Sequence, residues 1–137
     1  MSRENVEIVK NIFSSFDSGN PKDLRAMLPA AVEQLCDPEI EFVETPERVD
    51  ARTYRGHEGV LTAFNAWLDQ WDQYNAEPES VEDHGDDVFA VAREEGRGHS
   101  GATASARLYM IFSFRDGKLI RYREFYDEAA ARAALRG

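Results

Sequence analysis

The sequence predicts an α+β fold in which helices pack against one face of a curved antiparallel sheet. Three observations lead there. Val6, Val9, Phe13 and Phe16 recur at helical spacing, as do Val60, Leu61, Phe64, Trp67, Leu68 and Trp71. Ile40, Phe42 and Glu44 alternate with a period of two, and so does the long run from Ala104 to Phe114. Asp116-Gly117 then marks a hairpin turn, because both positions tolerate positive φ. A chain of 137 residues suits one domain, 1–137, around a single core.

The elements follow in order. Ser2 can cap a first helix, which Gly19 ends. Asn20-Pro21-Lys22-Asp23 reads as a cap, a proline at the first helical position and an acid in the first turn. Leu24, Met27 and Leu28 give this second helix its buried side, and Pro29 interrupts it. Ala30 to Cys36 adds a further turn or two, and Asp37-Pro38 stops it ahead of the strand Glu39 to Glu44. Pro46 to Arg55 is a loop, and the third helix starts near His57. Ala76 to Val81 is weakly strand-like, with Pro78 marking an edge or a bulge. Three hairpin-ordered strands follow: Val88 to Arg93, Ala104 to Phe114, and Leu119 to Tyr126. Gly96 to Gly101 is read as a flexible connection, and Asp127 caps a short alanine-rich helix ending near Leu135.

Composition narrows the function. A net charge of −10, from 26 acidic and 16 basic residues, repels phosphate backbones and argues against nucleic-acid binding. No apolar run approaches the roughly 20 residues of a membrane span. Cys36 is the only cysteine, so no internal disulfide forms, which suits a cytoplasmic protein. His57, His84 and His99 fall in separate connections without zinc-site spacing, so no metal is expected. Glu82 to Asp87 lacks the calcium-loop pattern and reads as a solvated turn. The glycines at 96, 98 and 101 join strands rather than open a helix, so they lack the basis for phosphate binding. Cys36 has no evident histidine partner to activate it as a nucleophile.

Glu44 is the sharpest chemical signal. It ends the stripe of Ile40 and Phe42, which is the more apolar side of its strand. A carboxylate carried into apolar surroundings must find partners, or its pKa rises until it can act as a base near neutral pH.

The chain resembles the SnoaL-like branch of the NTF2-like superfamily over about Glu4 to Ala131. The likeness is carried by Glu7-Ile8-Val9 through Phe16-Asp17-Ser18-Gly19, by Pro38-Glu39-Ile40-Glu41-Phe42, by Thr53 to Val60, and by Phe114 to Arg121. The resemblance implies a cone: a bent sheet wrapped around the N-terminal helices, with an internal cavity open at one end and no cofactor. Many members of the superfamily are homodimers. The segment Pro29 to Cys36 is longer than the usual link in that family and is expected to reshape the cavity mouth.

Ketosteroid isomerase, a relative within that superfamily, has its general base at the end of the first strand, where Glu44 falls. Its oxyanion hole uses a tyrosine and a protonated aspartate. The resemblance puts Ile12 and Met110 at those two positions, and neither side chain can donate a hydrogen bond to an oxyanion. Losing one such donor typically costs about 10²–10³ in rate, so steroid isomerisation is not expected.

The same alignment turns Ile120, Tyr122, Glu124 and Tyr126 toward the cavity and leaves Leu119, Arg121, Arg123 and Phe125 outside. Glu124 is then a second interior carboxylate between two phenols, and two acids in one pocket can divide acid and base roles. The expected catalytic set is Glu44 as base, with Glu124 and Tyr126 as acid or orienter. The alternative for each acid is a structural pairing. Phe16, Phe42, Tyr54, Trp67, Leu108, Met110 and Tyr122 are the expected contacts to a small apolar or polycyclic ligand, although Trp67 and Trp71 also suit a plain core and Tyr54 a loop anchor. Arg107, Tyr109, Ile111 and Ser113, together with Arg121, Arg123 and Phe125, form an outer sheet face suited to a homodimer interface or to partial solvation. The expected function is ligand binding with cofactor-free proton transfer or addition–elimination. A non-catalytic carrier or protein-interaction module is the rival.

Overall fold

The computed structural model describes residues 2–136. The side chain of Ser2, and with it the expected first cap, lies outside the described set. Helices α1 (Ser2–Ser14) and α2 (Pro21–Leu35) lead into strands β1 (Cys36–Val43) and β2 (Thr53–Arg55). Helix α3 (Gly56–Leu68) precedes four long strands, β3 (Trp71–His84), β4 (Asp87–Gly98), β5 (Thr103–Arg115) and β6 (Lys118–Phe125), and α4 (Glu128–Arg136) closes the chain. The strands form one curved, open sheet in the order β2-β1-β6-β5-β4-β3. β1 runs parallel to β6, and every other neighbouring pair is antiparallel.

Local chemistry explains the best-predicted boundaries. The Asn20 side chain accepts from the Lys22 backbone N–H over 2.9 Å, and Pro21 opens α2. Asp116 and Gly117 take φ values of 53° and 79°, which is the geometry of a two-residue hairpin turn. Asp127 accepts from the Ala130 N–H over 2.9 Å at the start of α4. β3 is the edge strand opposite β2, and its register slips between Pro78 and Ser80, where the proline withholds a ladder donor.

Four expectations give way. α2 passes straight through Pro29 to Leu35, because an exposed turn tolerates the loss of one hydrogen bond. β1 begins at Cys36 and takes in Asp37-Pro38, which was expected to be a stop. Trp71 opens β3 instead of extending the stripe of α3. β4 continues through Gly98, so Gly96 lies in a strand and not in a flexible connection.

The main core lies between α1–α3 and one face of the sheet. Val9, Phe13, Val32, Val60 and Ala63 from the helices meet Ile40, Phe42, Ala90, Met110 and Phe112 from the strands. On the opposite face, α4 covers Phe89 and Ile111, both fully buried, along with Val91 and Tyr109. Arg132 of α4 stacks over the Phe89 ring at 4.4 Å and pairs with Glu82. The outer face is therefore partly roofed by the chain's own C-terminal helix. Among the described residues, no helix is long and apolar enough to cross a membrane.

Candidate functional site

A cavity of about 260 Å³ opens between the helices and the inner face of the sheet. α1 contributes Ile12 and the turn after it Phe16 to its wall, and α3 contributes Phe64 and Trp67. The long α2 brings Ala31, Val32 and Leu35 to it, so the Pro29 to Cys36 segment forms wall as well as linkage. From the sheet come Phe42, Leu108, Met110 and Tyr122. These surfaces are overwhelmingly apolar, and the carboxyl and guanidinium groups on the wall are Glu44, Arg48 and Glu124.

Strand geometry explains that gathering. Ile40, Phe42 and Glu44 all line the cavity, as the alternation of β1 requires. Glu124 stands opposite Met110 across the β5–β6 ladder. Phe42 is paired with Tyr122 through the parallel β1–β6 contact, and their rings lie 4.8 Å apart. A bulge breaks one expectation on β6. The register slips after Ser113, which pairs with Arg121, while Phe114 pairs with Leu119. Ile120 is skipped, and Leu119 turns into the core and lines the cavity. Tyr122 and Glu124 remain on the inner side.

Glu44 is ion-paired. Its Oε2 accepts from Arg48 Nη1 over 3.1 Å and its Oε1 from the Arg52 backbone N–H over 3.3 Å. The Arg48 guanidinium also lies 4.5 Å from the centre of the Trp67 ring. Burial works against the Arg48 charge, but Tyr126, Glu124 and Glu44 outweigh it and leave the pKa raised.

Glu124 is held differently. Its Oε2 accepts from the Tyr122 phenol over 2.9 Å, and among the described residues no protein donor reaches Oε1. The carboxyl keeps some accessible surface on the cavity wall, yet the enclosing protein strips it of bulk water. Burial pushes its pKa up to about 7; Tyr122 and Arg48 oppose the rise, while Glu94 and Glu44 add to it. The Tyr122 phenol is raised well above its ordinary value by burial and by the Glu124 charge.

Tyr126 lies outside the wall of this cavity. It lines a smaller pocket next door, and its hydroxyl donates to Glu94 Oε1 over 3.0 Å. Tyr74 donates to Glu94 Oε2 over 2.7 Å. Burial and Glu94 push the Tyr126 phenol up to about 12, with Arg48 pulling the other way. Tyr54 is also absent from the wall; its ring packs edge-on against Phe42 at 6.2 Å. Of the residues expected to meet a ligand, Phe16, Phe42, Trp67, Leu108, Met110 and Tyr122 do line the cavity. No three His, Cys, Asp or Glu side chains converge as metal ligands would among the described residues.

A model of the SnoaL-like domain matches residues 9–122. The chain belongs to the SnoaL-like family. No curated protein sequence matches it significantly. Among solved structures, Bal32a from a soil-derived mobile gene cassette superposes with a TM-score of 0.75 at 21% identity, covering 98% of this chain and 97% of that one. An NTF2-like protein from Burkholderia thailandensis gives 0.73 at 24% identity, with 96% of each chain covered. TerC, co-crystallised with polyporic acid, gives 0.66 at 19% identity, covering 98% and 99%. At these identities the likeness is one of fold.

The sequence reading of this SnoaL-like chain overlooked two groups. Glu94 is buried, and it extends the inward alternation of Val88, Ala90 and Ala92. That is the signal that exposed Glu44, but the strand was ended one residue too soon. Arg48 sits in a loop, and only its four-residue offset from Glu44 hinted at a pair.

Proposed function

We propose that this SnoaL-like protein binds a small, largely apolar molecule in the 260 Å³ cavity and moves a proton on it without a cofactor, with Glu124 as the acid–base group. One observation carries the reading. A carboxyl on an apolar wall has its pKa pushed to about 7, with one oxygen held by Tyr122 and the other without a protein donor among the described residues. A group titrating near the operating pH combines the right protonation state with driving force for transfer. For a carbonyl ligand, Glu124 Oε1 takes the proton from the α-carbon. The electron pair of the broken C–H bond becomes an enolate, and Arg48 is the cation placed to stabilise its oxygen. Return of the proton to another carbon gives isomerisation; loss of a β-substituent gives elimination.

The base role thus moves from Glu44 to Glu124. The ion pair with Arg48 supports a positioning role for Glu44, and Tyr122 rather than Tyr126 is the phenol that orients the reacting acid. Polyporic acid in TerC supports an aromatic ligand class for a cavity of this fold. Ile12 and Met110 both line the cavity and offer no donor, so steroid isomerisation is not part of the proposal.

A homodimer and a cytoplasmic location remain part of the same proposal. α4 narrows the surface left for a partner. What favours an interface there is Arg123, whose Nε has no acceptor among the described residues and whose pKa is lowered by burial and by Arg121, with Asp87 opposing. The neighbouring Arg121 and Arg123 make this face cationic, and an acidic second copy complements it. Light scattering on wild type and Arg123→Glu tests this: a dimer that the substitution dissociates is the expected result.

The test of the cavity reading is a thermal-shift panel of steroids, aromatic polyketides, terpenoid epoxides and lactones, followed by solvent deuterium exchange into any ligand that binds. Wild type should bind and exchange; Glu124→Gln should bind without exchanging. Equal exchange by both proteins would return the chain to the class of non-catalytic carriers.

A further inference from the structure

We propose that the second pocket, on the far side of Trp67 and Tyr74 from the main cavity, binds the methylated ammonium group of a small cation. It measures about 110 Å³ and is walled by Trp67, Trp71, Tyr74 and Tyr126, with Glu94 and Glu95 beside them. The two sites share Trp67 and Tyr74, but binding here does not require proton transfer at Glu124.

The ring geometry is that of an aromatic box. Trp67 and Trp71 lie 5.5 Å apart at 63°, and Trp67 and Tyr74 lie 5.8 Å apart at 88°. Trp71 and Tyr74 lie 6.2 Å apart at 30°. The two steep contacts are edge-to-face, so the rings brace one another around the pocket, and the indole and phenol faces left toward it attract a cation that comes within about 6 Å of the ring centre. Trp67 already does this for Arg48, whose own charge is answered by Glu44.

The backbone beneath the box is built to make room. A Cβ on Gly96 would lie 2.5 Å from the Trp71 ring, so only a residue without a side chain lets the indole rest on β4. Across the ladder, Glu94, Glu95 and Gly96 face Ala106, Ser105 and Ala104, all of them small. The buried Trp71 Nε1 has no acceptor among the described residues, so packing rather than a hydrogen bond holds the ring in place.

The carboxylates select the kind of cation. Each oxygen of Glu94 already accepts from a phenol, Tyr74 on one side and Tyr126 on the other. Two of its roughly four acceptor positions are thus engaged by neutral groups, and no cation is paired with it among the described residues. A primary ammonium brings three donors that need acceptors, whereas a trimethylammonium group brings none and requires only charge and aromatic faces. The net charge of −10 draws such cations toward the protein.

The experiment is a tryptophan-fluorescence titration of wild-type protein with choline and with its uncharged isostere, 3,3-dimethylbutan-1-ol. Choline should give a saturable change and bind at least about tenfold more tightly than the isostere, and tetramethylammonium should outcompete methylammonium. Gly96→Ala, which forces Trp71 off β4, should weaken choline at least about tenfold, since a displaced ring forfeits its cation contact. Circular dichroism verifies that this variant is folded, and the wild-type comparison of choline with its isostere decides the matter without it. Equal affinity for the two would overturn the proposal and leave a merely apolar pocket. Absence of a saturable signal in millimolar choline would overturn it as well.

Discussion

Tyr122 and Glu124 stand two residues apart on β6, and the phenol of the first donates to the carboxyl of the second over 2.9 Å inside the protein. The partner is a neutral hydroxyl, so it orients the acid without supplying a countercharge. Arg48 and Tyr122 favour the ionised form, but burial outweighs them and carries the pKa to about 7.

This relationship fixes a pH dependence. The native state keeps the Glu124 proton up to about 7, while the unfolded chain releases it near 4.5. Between those values the native state binds more protons, so its stability falls as pH rises and levels off above about 7. The loss is on the order of 3 kcal/mol. Glu124→Gln should flatten most of this slope, leaving the smaller fall that the raised His99 pKa contributes, and be more stable than wild type at pH 8, as read by urea unfolding at pH 5 and pH 8. A variant with the wild-type slope would show that Glu124 does not set it.

Glu44→Gln should act in the opposite direction. It removes the charge that answers Arg48 in a partly buried pair and should cost roughly 1–3 kcal/mol at pH 8. Urea midpoints of the two glutamine variants, measured side by side, check the contrast in sign. Stabilisation by both would mean that Glu44, too, is held at a cost to the fold.

Cys36 should resist thiol reagents. It is buried, and burial pushes its thiol up to about 11, with Lys118 only partly opposing, so little thiolate exists at neutral pH. Labelling with a chromogenic disulfide should track global unfolding. Rapid stoichiometric reaction of the native protein would contradict this.

Pro29→Ala should stabilise the chain. An exposed proline in the interior of α2 costs up to about 3 kcal/mol in helix formation, while its stiffening of the unfolded chain returns less than about 1. A rise in the urea midpoint of about 1–2 kcal/mol equivalent is expected on that balance. A fall would mean that Pro29 itself is required where α2 forms the cavity wall.

Particular residues show what could be read from the sequence alone. Asn20 and Asp116-Gly117 were legible because caps and turns are local chemistry. Trp71 was not. Asp69 keeps helical φ and ψ after α3 has ended, so Trp71 retains the four-residue spacing to Trp67 and even packs against it. Ile120 was misplaced because a bulge leaves no trace in a period-two pattern. Glu44 and Glu124 were legible as acids facing the cavity, but the contrast between their partners was hidden. It depends on Arg48 and Tyr122, and whether a loop arginine reaches a strand-end acid is decided by tertiary packing.

The parallel pairing of β1 with β6 has a consequence for how the molecule comes into being. β1 emerges early in synthesis, yet one of its edges can be satisfied only by the last strand of the sheet. Closing so long a loop carries an entropic cost that must be met before its contacts form, which makes such pairings slow. Until β6 arrives, Ile40 and Phe42 lack the neighbour that buries them, and Glu44 has no opposite wall. The hairpins of β3 to β6 can nucleate without β1, so contact order favours late assembly of the polar end of the cavity, and a chain stalled before that step exposes an apolar strand edge open to aggregation.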